Sequence, residues 1–423
     1  MHFIYKLFEI FKNRQNLKIL LSAYACEPNK GSEPEVGWKW ATTLPRLGHE
    51  VYVITRSNNK ENIQNYLNNN NISNLNFIYF DYPKWLIKIV KGKSNQYSYL
   101  YFLLWQLGVF FAVKPYIKKI KFDFIHHVTF VSLRYPSFLC LYKIPFIFGP
   151  ISGGDVIPNN LRGKFTIIEK IKEFIRDLSN NYIKFSPLMN LTFLKSKKIF
   201  VNSEATKKII PYKYHHKTES MIAIGNSDTV NTSLNFNKDR KKFNICYAGN
   251  LLRLKGISLV IETFNELKKI NHNVFLTVAG SGPLESELKR KAKYYNIDQS
   301  ISWLGQINRD KLFELFQKND LLLMPSLRDS GGFVILEAMS FGLPVATLDL
   351  GGPGIIVDND CGIKIDVSNK SENQIVLELA SKINNLSKSN EKIFYKKRKS
   401  LERIKIFSWE QKALTIYNNN KII

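Results

Sequence analysis

Leu17–Ala25 (LKILLSAYA) is an unbroken apolar run of the kind found in a parallel strand buried on both faces. A polar turn containing glycine follows (CEPNKGSEPEVG). Then comes an apolar-periodic stretch, Trp38–Leu47, closed by Gly48, and a second apolar run, Val51–Thr55 (VYVIT). Strand, glycine turn, helix and strand make a βαβ unit. Further on the same order begins again: Phe243–Ala248, a Gly/Lys turn, Ile257–Lys269, Val274–Ala279 and a GSG turn. Two independent starts of this kind predict two doubly wound α/β domains. In each, ligands belong beyond the carboxyl ends of the strands.

The chain has 423 residues, enough for two or three domains with proper cores. Phe77–Phe80, Phe124–His127, Pro145–Phe148 and Ile199–Val201 read as further strands of the first domain. Ile301–Trp303, Leu321–Met324 and Val345–Thr347 read as strands of the second. Between the two series, the polar run GNSDTVNTSLNFNKDRKK after Ile224 reads as a linker.

Lys and Arg number 61 against 35 Asp and Glu, a net charge of +26. Residues 1–230 hold 32 basic and 15 acidic side chains (+17), which leaves 29 and 20 (+9) for the remainder. The first half is therefore the better partner for an anionic surface. Charge alone would also suit nucleic acid, but no basic helix with groove spacing and no nucleic-acid motif accompanies it, so that partner is excluded. Cys26, Cys140, Cys246 and Cys361 lie far apart with no CxxC pair, which predicts buried, reduced thiols rather than a zinc site or disulfides. Met1–Asn16 carries charges within its apolar stretch and lacks a small-residue cleavage site, so no cleaved signal peptide is expected and the chain reads as cytoplasmic.

Two segments have membrane potential. Ser94–Val113 has no charge over 20 positions, a length that just spans a bilayer. It lies inside the first α/β domain, so a buried helix is expected, with a partly exposed membrane-facing patch or a true span as alternatives. Phe165–Ile183 spaces apolar residues helically with basic residues between them, and reads as a packed helix or as an interfacial one.

Chemistry concentrates in Pro325–Pro344 (PSLRDSGGFVILEAMSFGLP), which begins at a strand end. Asp329 and Glu337 stand eight apart around a GG turn that enters a helix. Amides at such a helix start favour phosphate oxygens, and the carboxylates suit sugar and ribose hydroxyls. A plain capped helix is the competing reading. Ala248–Gly256 (AGNLLRLKG), Val278–Pro283 (VAGSGP) and Ser302–Gly305 (SWLG) end other strands of the same sheet. Asp358-Asn-Asp360 mimics a metal-binding DxD but reads as a solvated turn.

From Leu17 to about Tyr417 the chain resembles the family 4 glycosyltransferases, in a subgroup common in bacterial surface-polysaccharide loci. Asp329-x7-Glu337 followed by EAMSFGLPVA resembles the family's E-x7-E motif. Gly249-Asn250-Leu251 with Lys255-Gly256 resembles its GRL…KG, Gly280-Ser281-Gly282-Pro283 its GxGP, and Lys30-Gly31-Ser32-Glu33 its first-domain glycine loop. ACEPNKGSEPEVGW, HHVTF, GPISGG and Phe407-Ser408-Trp409 extend the likeness. It implies the GT-B fold: two doubly wound Rossmann-like domains facing across a cleft. Residues 1–230 would form the acceptor-side domain, 231–405 the nucleotide-sugar domain, and 406–423 a helix crossing back to the first.

The resemblance also implies an activity: retaining, metal-independent transfer of a hexose from a UDP- or GDP-linked sugar, with no cofactor. The acceptor would be a polyprenyl-diphosphate-linked oligosaccharide in exopolysaccharide, capsule or O-antigen synthesis, on the inner face of the plasma membrane. A soluble disaccharide or glucan synthase and a non-catalytic relative are the alternatives. The implied catalytic residues are His127, His126, Lys255 and Asp329. Donor contacts would come from Gly31, Gly249, Asn250, Arg253, Lys255, Gly280, Gly282, Asp329, Gly331, Gly332, Phe333, Val334 and Glu337. Strand alternation turns His126 and His127 opposite ways, and His127 is taken to face the cleft. Asn250 replaces the family's usual Arg. Either Arg253 takes that role, or it points outward and Lys255 carries the phosphate. Asp329 is one methylene shorter than Glu, Gly331 stands where an aromatic is usual, and Phe333 is displaced by two positions. Gly153-Gly154-Asp155 shapes the acceptor side or is a structural turn.

Overall fold

The computed structural model describes residues 16–91, 99–226 and 242–417. The leader, apart from Asn16, lies outside them, as do residues 94–98 and residues 227–241 of the polar run. The chain divides into two compact units. Residues 1–154, 178–223 and 409–423 form the first, and residues 155–177 and 224–408 the second. The boundary thus differs from a simple division near residue 230, because residues 155–177 pack with the second unit.

The first unit holds a seven-stranded sheet: β1 (Lys18–Ala23), β2 (Glu50–Thr55), β3 (Leu75–Tyr79), β4 (Phe124–Thr129), β5 (Phe146–Ile151), β6 (Ser196–Val201) and β7 (Thr218–Ser220). Its order is β3-β2-β1-β4-β5-β6-β7, with every pair parallel. β1, β4 and β5 are central and buried almost throughout, which is why β1 and β5 run largely apolar instead of alternating and why the polar residues of β4 are buried as well. Helix α1 (Ser32–Arg46) starts six residues before the expected Trp38. Pro34 fits a first helical turn, and Glu33 and Glu35 favour its positive end. α1 buries Trp38, Trp40, Ala41 and Leu44 against the sheet.

Helix α2 (Tyr99–Ala112) resolves the long uncharged segment. Tyr101, Phe102, Trp105 and Val109 are fully buried in one core with Leu20, Ile125 and Phe146. Residues Leu100–Lys119 are long and apolar enough to cross a membrane by composition. The helix ends at Ala112 and covers a sheet with one face, while Leu100, Leu107 and Phe111 are exposed along the other edge, so it is partly buried and partly exposed. The C-terminal helix Trp409–Tyr417 belongs to this unit. Its Trp409 meets Trp40 edge-on at 5.6 Å, and its buried Lys412 donates to the Ile222 carbonyl.

The second unit begins with residues 155–177, which include most of helix α3 (Ile167–Tyr182). Its six-stranded sheet is built from β8 (Phe243–Ala248), β9 (Val274–Ala279), β10 (Ile301–Gly305), β11 (Leu321–Leu323), β12 (Val345–Leu348) and β13 (Gly362–Ile365). The order β10-β9-β8-β11-β12-β13, again all parallel, repeats the first sheet's 3-2-1-4-5-6. Helix α4 (Ile257–Ile270) follows β8, and helix α5 (Phe333–Ser340) follows β11. All four cysteines are buried and free.

Candidate active site

In a doubly wound sheet the winding reverses beside the first strand, and the loops leaving the two strands there part to open a crevice. In the second unit this point lies between β8 and β11. The loop after β8 runs to Lys255 and the loop after β11 to Gly332. The backbone ties them together: the Leu254 carbonyl accepts the N–H of Leu327 at 3.0 Å and that of Arg328 at 3.3 Å. Gly256, at φ 73°, makes the approach possible, since a Cβ there would stand 1.9 Å from the Pro325 carbonyl oxygen.

On this frame Lys255 Nζ donates to Asp329 Oδ2 at 2.6 Å. Both side chains remain partly exposed, Lys255 more than Asp329. Asp329 Oδ1 accepts the N–H groups of Gly331 (3.1 Å) and Gly332 (3.2 Å). Asp329 is therefore both an ion-pair partner and the carboxylate that orders the entry to α5. Two amides expected to meet phosphate are already engaged by it. The amides of Phe333 and Val334, in the first turn of α5, have no acceptor within the helix.

Glu337 lies a turn further along α5, and its Oε1 accepts from Arg309 Nη2 at 2.9 Å. Sequence reasoning missed Arg309, which opens a different helix 28 residues away. It also missed Tyr247, whose hydroxyl donates to the Asn250 carbonyl at 2.9 Å and fixes the loop after β8. Burial, reinforced by the charge of Asp329, raises the Tyr247 phenol well above its ordinary value, so it remains a neutral donor. The Asn250 side chain is exposed. Arg253 is turned toward α3, with Nε 3.5 Å from Glu169 Oε1, so Lys255 is the cation at Asp329.

Gly249 directly follows β8, and its N–H donates to the Ala279 carbonyl at 2.9 Å. Gly280 and Gly282 let the neighbouring loop pack directly on it: Cβ atoms there would lie 2.0 Å from the Gly249 oxygen and 2.7 Å from the Leu251 oxygen. These glycines frame the crevice. Asp358 of the DxD-like triplet caps a turn through the N–H groups of Asp360 and Cys361. Among the described residues no three His, Cys, Asp or Glu converge as metal ligands.

His126, His127 and Gly31 lie in the first unit. The two histidines do point opposite ways. His126 Nδ1 meets the Tyr417 hydroxyl at 2.6 Å, and Nε2 meets the Gly149 carbonyl oxygen at 2.8 Å. His127 Nε2 meets the Thr129 carbonyl oxygen at 3.0 Å, and Nδ1 has no partner among the described residues. Both rings are buried, and burial lowers His126 to about 3 and His127 to about 4, so both are neutral. His126 thus fastens the C-terminal helix to β4 and β5, while His127 retains an open nitrogen.

Gly31 borders a cavity of about 500 Å³ beyond β1, lined by Glu27, Lys30, Glu33, Asn58 and Asn62 among others. Burial lifts the Glu33 carboxyl above its ordinary range, although Glu33 also accepts the Phe130 N–H at 2.5 Å. Gly154 is a packing position, since a Cβ there would meet the Thr206 backbone at 2.5 Å.

Two doubly wound parallel sheets of matching order, each with its own switch point, make the GT-B fold. Residues 231–401 match the family model described as Glycosyl transferases group 1. The lipopolysaccharide glucosyltransferase WaaG of Escherichia coli K12 is 25% identical over 212 residues, which is 46% of this chain and 56% of that protein. A glycosyltransferase from Rickettsia africae superposes with TM-score 0.61 at 16% identity, covering 96% of this chain and 98% of the other. Anabaena HepE, solved in complex with UDP and glucose, gives TM-score 0.56 at 14% identity over 94% and 98%. Likeness at this level establishes the fold. The chain spans from 22% to 56% of the length of eight curated relatives that it matches.

Proposed function

We propose that the chain is a retaining, metal-independent family 4 glycosyltransferase. It moves a hexose from a UDP- or GDP-linked donor to a polyprenyl-diphosphate-linked oligosaccharide in exopolysaccharide, capsule or O-antigen assembly. It works at the cytoplasmic face of the plasma membrane. The observation that carries this reading is the Lys255–Asp329 pair at the second unit's switch point, 2.6 Å apart and next to the first turn of α5. The group 1 match over residues 231–401, and a GT-B neighbour solved with UDP and glucose, support a nucleotide-sugar donor. The lipopolysaccharide glucosyltransferase among the relatives supports a surface-polysaccharide acceptor.

Breaking a glycosyl–phosphate bond leaves negative charge on the departing diphosphate and positive character on the sugar. Lys255 and the amides of Phe333 and Val334 stabilise the diphosphate. Preorganised groups of this kind are each worth roughly 3–4 kcal/mol when removed. Asp329, held by Lys255 and two backbone amides, presents a fixed carboxylate to sugar hydroxyls. Glu337 takes the ribose, with Arg309 balancing its charge. The incoming hydroxyl attacks the face that the phosphate leaves, and its proton passes to a departing phosphate oxygen. On the acceptor side, Glu27, Glu33, Asn58 and Asn62 offer the acceptor and donor groups that suit sugar hydroxyls.

A thermal-shift panel of UDP, GDP, ADP and CMP tests the donor reading. A ligand bound only by the folded chain raises the melting point according to RT ln(1 + [L]/Kd). One nucleotide should raise it clearly, and Lys255→Ala should abolish most of the rise. No shift with any of the four in folded protein sinks the proposal.

A further inference from the structure

An amphipathic helix on a folded protein normally buries its apolar stripe and turns its charges to water. Helix α3 does the reverse. All three of its acids face inward onto arginines of the second unit: Glu169 lies 3.5 Å from Arg253, Glu173 pairs with Arg328 at 2.5 Å, and Asp177 pairs with Arg162 at 2.8 Å. Outward lie Ile167, Ile171, Phe174, Leu178 and Tyr182, spaced by four, three, four and four residues, and Phe185 just past the helix end. Each of these is between 53% and 78% exposed. The charged side chains exposed along the same stretch are lysines: Lys170, Lys172 and Lys184.

We infer that the outer face of α3 docks the protein onto an anionic lipid bilayer, the apolar stripe entering the headgroup boundary and the lysines meeting lipid phosphates. This rests on the membrane placement proposed above and names the surface that makes it. At 16 residues α3 is about 24 Å long, short of the roughly 30 Å hydrocarbon core, so it lies in the plane of the interface. Charge complementarity selects the occupant. Every acid of α3 is matched by an arginine on the protein side, leaving lysines to seek an anionic partner. A second copy set against the same face would bring lysine to lysine, which like-charge repulsion disfavours.

Sedimentation with sucrose-loaded vesicles tests this, using phosphatidylcholine mixed with phosphatidylglycerol and phosphatidylcholine alone. The parent protein should partition onto the mixed vesicles. Ile171→Ser with Phe174→Ser should lower that partition at least about tenfold, because the two substitutions remove apolar surface that enters the headgroup boundary. Lys170→Gln with Lys172→Gln should lower it by about tenfold on the anionic vesicles and flatten its salt dependence. The nucleotide-induced thermal shift should survive in all of these variants, since none touches the switch point. Undiminished binding by the Ile171/Phe174 variant overturns the inference, and so does a parent that binds neither vesicle. A concentration-dependent dimer that Phe174→Ser dissociates overturns it in favour of self-association. If the nucleotide shift persists while vesicle binding fails, the docking surface alone is wrong. If vesicle binding depends on α3 while every nucleotide fails, the donor reading alone is wrong.

Discussion

At the carboxyl end of the second sheet, Lys255 with Asp329 and Arg309 with Glu337 form two ion pairs whose side chains remain open to solvent. The first sheet has the same order over its first six strands, yet β4 carries two buried, uncharged histidines, and the cavity beyond β1 is lined by two carboxylates, two amides and Lys30. One backbone plan therefore carries two chemistries. The winding of the sheet decides where a crevice opens, and the charge on its loops decides what enters it. The second unit's crevice carries paired charges partly open to solvent, whereas burial keeps the two imidazoles of β4 uncharged.

The largest expected separation of the two units is by acid. The folded values of His126 and His127 lie below the unfolded 6.5, so the stability they contribute is complete above about 6.5 and is lost as pH falls toward 4. Between about pH 7.5 and 5 the loss is roughly 2 kcal/mol per histidine. Five of the six tryptophans lie in the first unit, so the melting of tryptophan fluorescence reports it. A melting point unmoved between those pH values would break the contrast. Next in size, Lys255→Ala should cut turnover by roughly a hundredfold or more, about 3 kcal/mol, with the melting point nearly unchanged. Equal turnover would remove Lys255 from the phosphate. Arg309→Ala removes the guanidinium that donates to Glu337 and should raise the donor KM about tenfold at nearly constant kcat. A drop in kcat alone would place Glu337 at the reacting sugar rather than the ribose. Smallest is Gly331→Ala: the nearest atom to its Cβ is 3.5 Å away, so stability should hold within about 0.5 kcal/mol in a urea titration.

Much of the second sheet is legible in the sequence, because glycine marks its strand ends and parallel strands advertise themselves as apolar runs. Lys255 and Asp329 can be read for the same reason: each sits a fixed few residues past a strand. β7 and β13 escape notice, the first being three residues of Thr-Glu-Ser at an edge and the second only Gly-Ile-Lys-Ile. The partners of Arg253 and Arg328 escape as well. Glu169 and Glu173 come from a segment that interrupts the first sheet's strand series to pack with the second unit, and nothing local announces that departure. Tyr417 stands 291 residues from His126, so strand alternation gives the ring's direction but not what it meets. Helices α2 and α3 show the limit of periodicity most clearly. Both are rich in apolar residues. α2 buries Tyr101, Phe102 and Trp105 under a sheet, whereas α3 presents its apolar stripe outward, because three acids on its other side find arginines. Period alone gives two faces without saying which one turns inward.

The crevice of the second unit is walled by backbone lying directly on backbone. A Cβ at Gly256 would stand 1.9 Å from Pro325 O, one at Gly280 2.0 Å from Gly249 O, and one at Gly351 2.4 Å from Asp329 O. Natural drift and directed evolution therefore have no gradual route through these positions, since even a methyl group collides with peptide atoms that cannot rotate away. Substitution is open instead at the places with spare room, such as Gly331 and the exposed Asn250. A saturation library at those two codons avoids every one of these collisions.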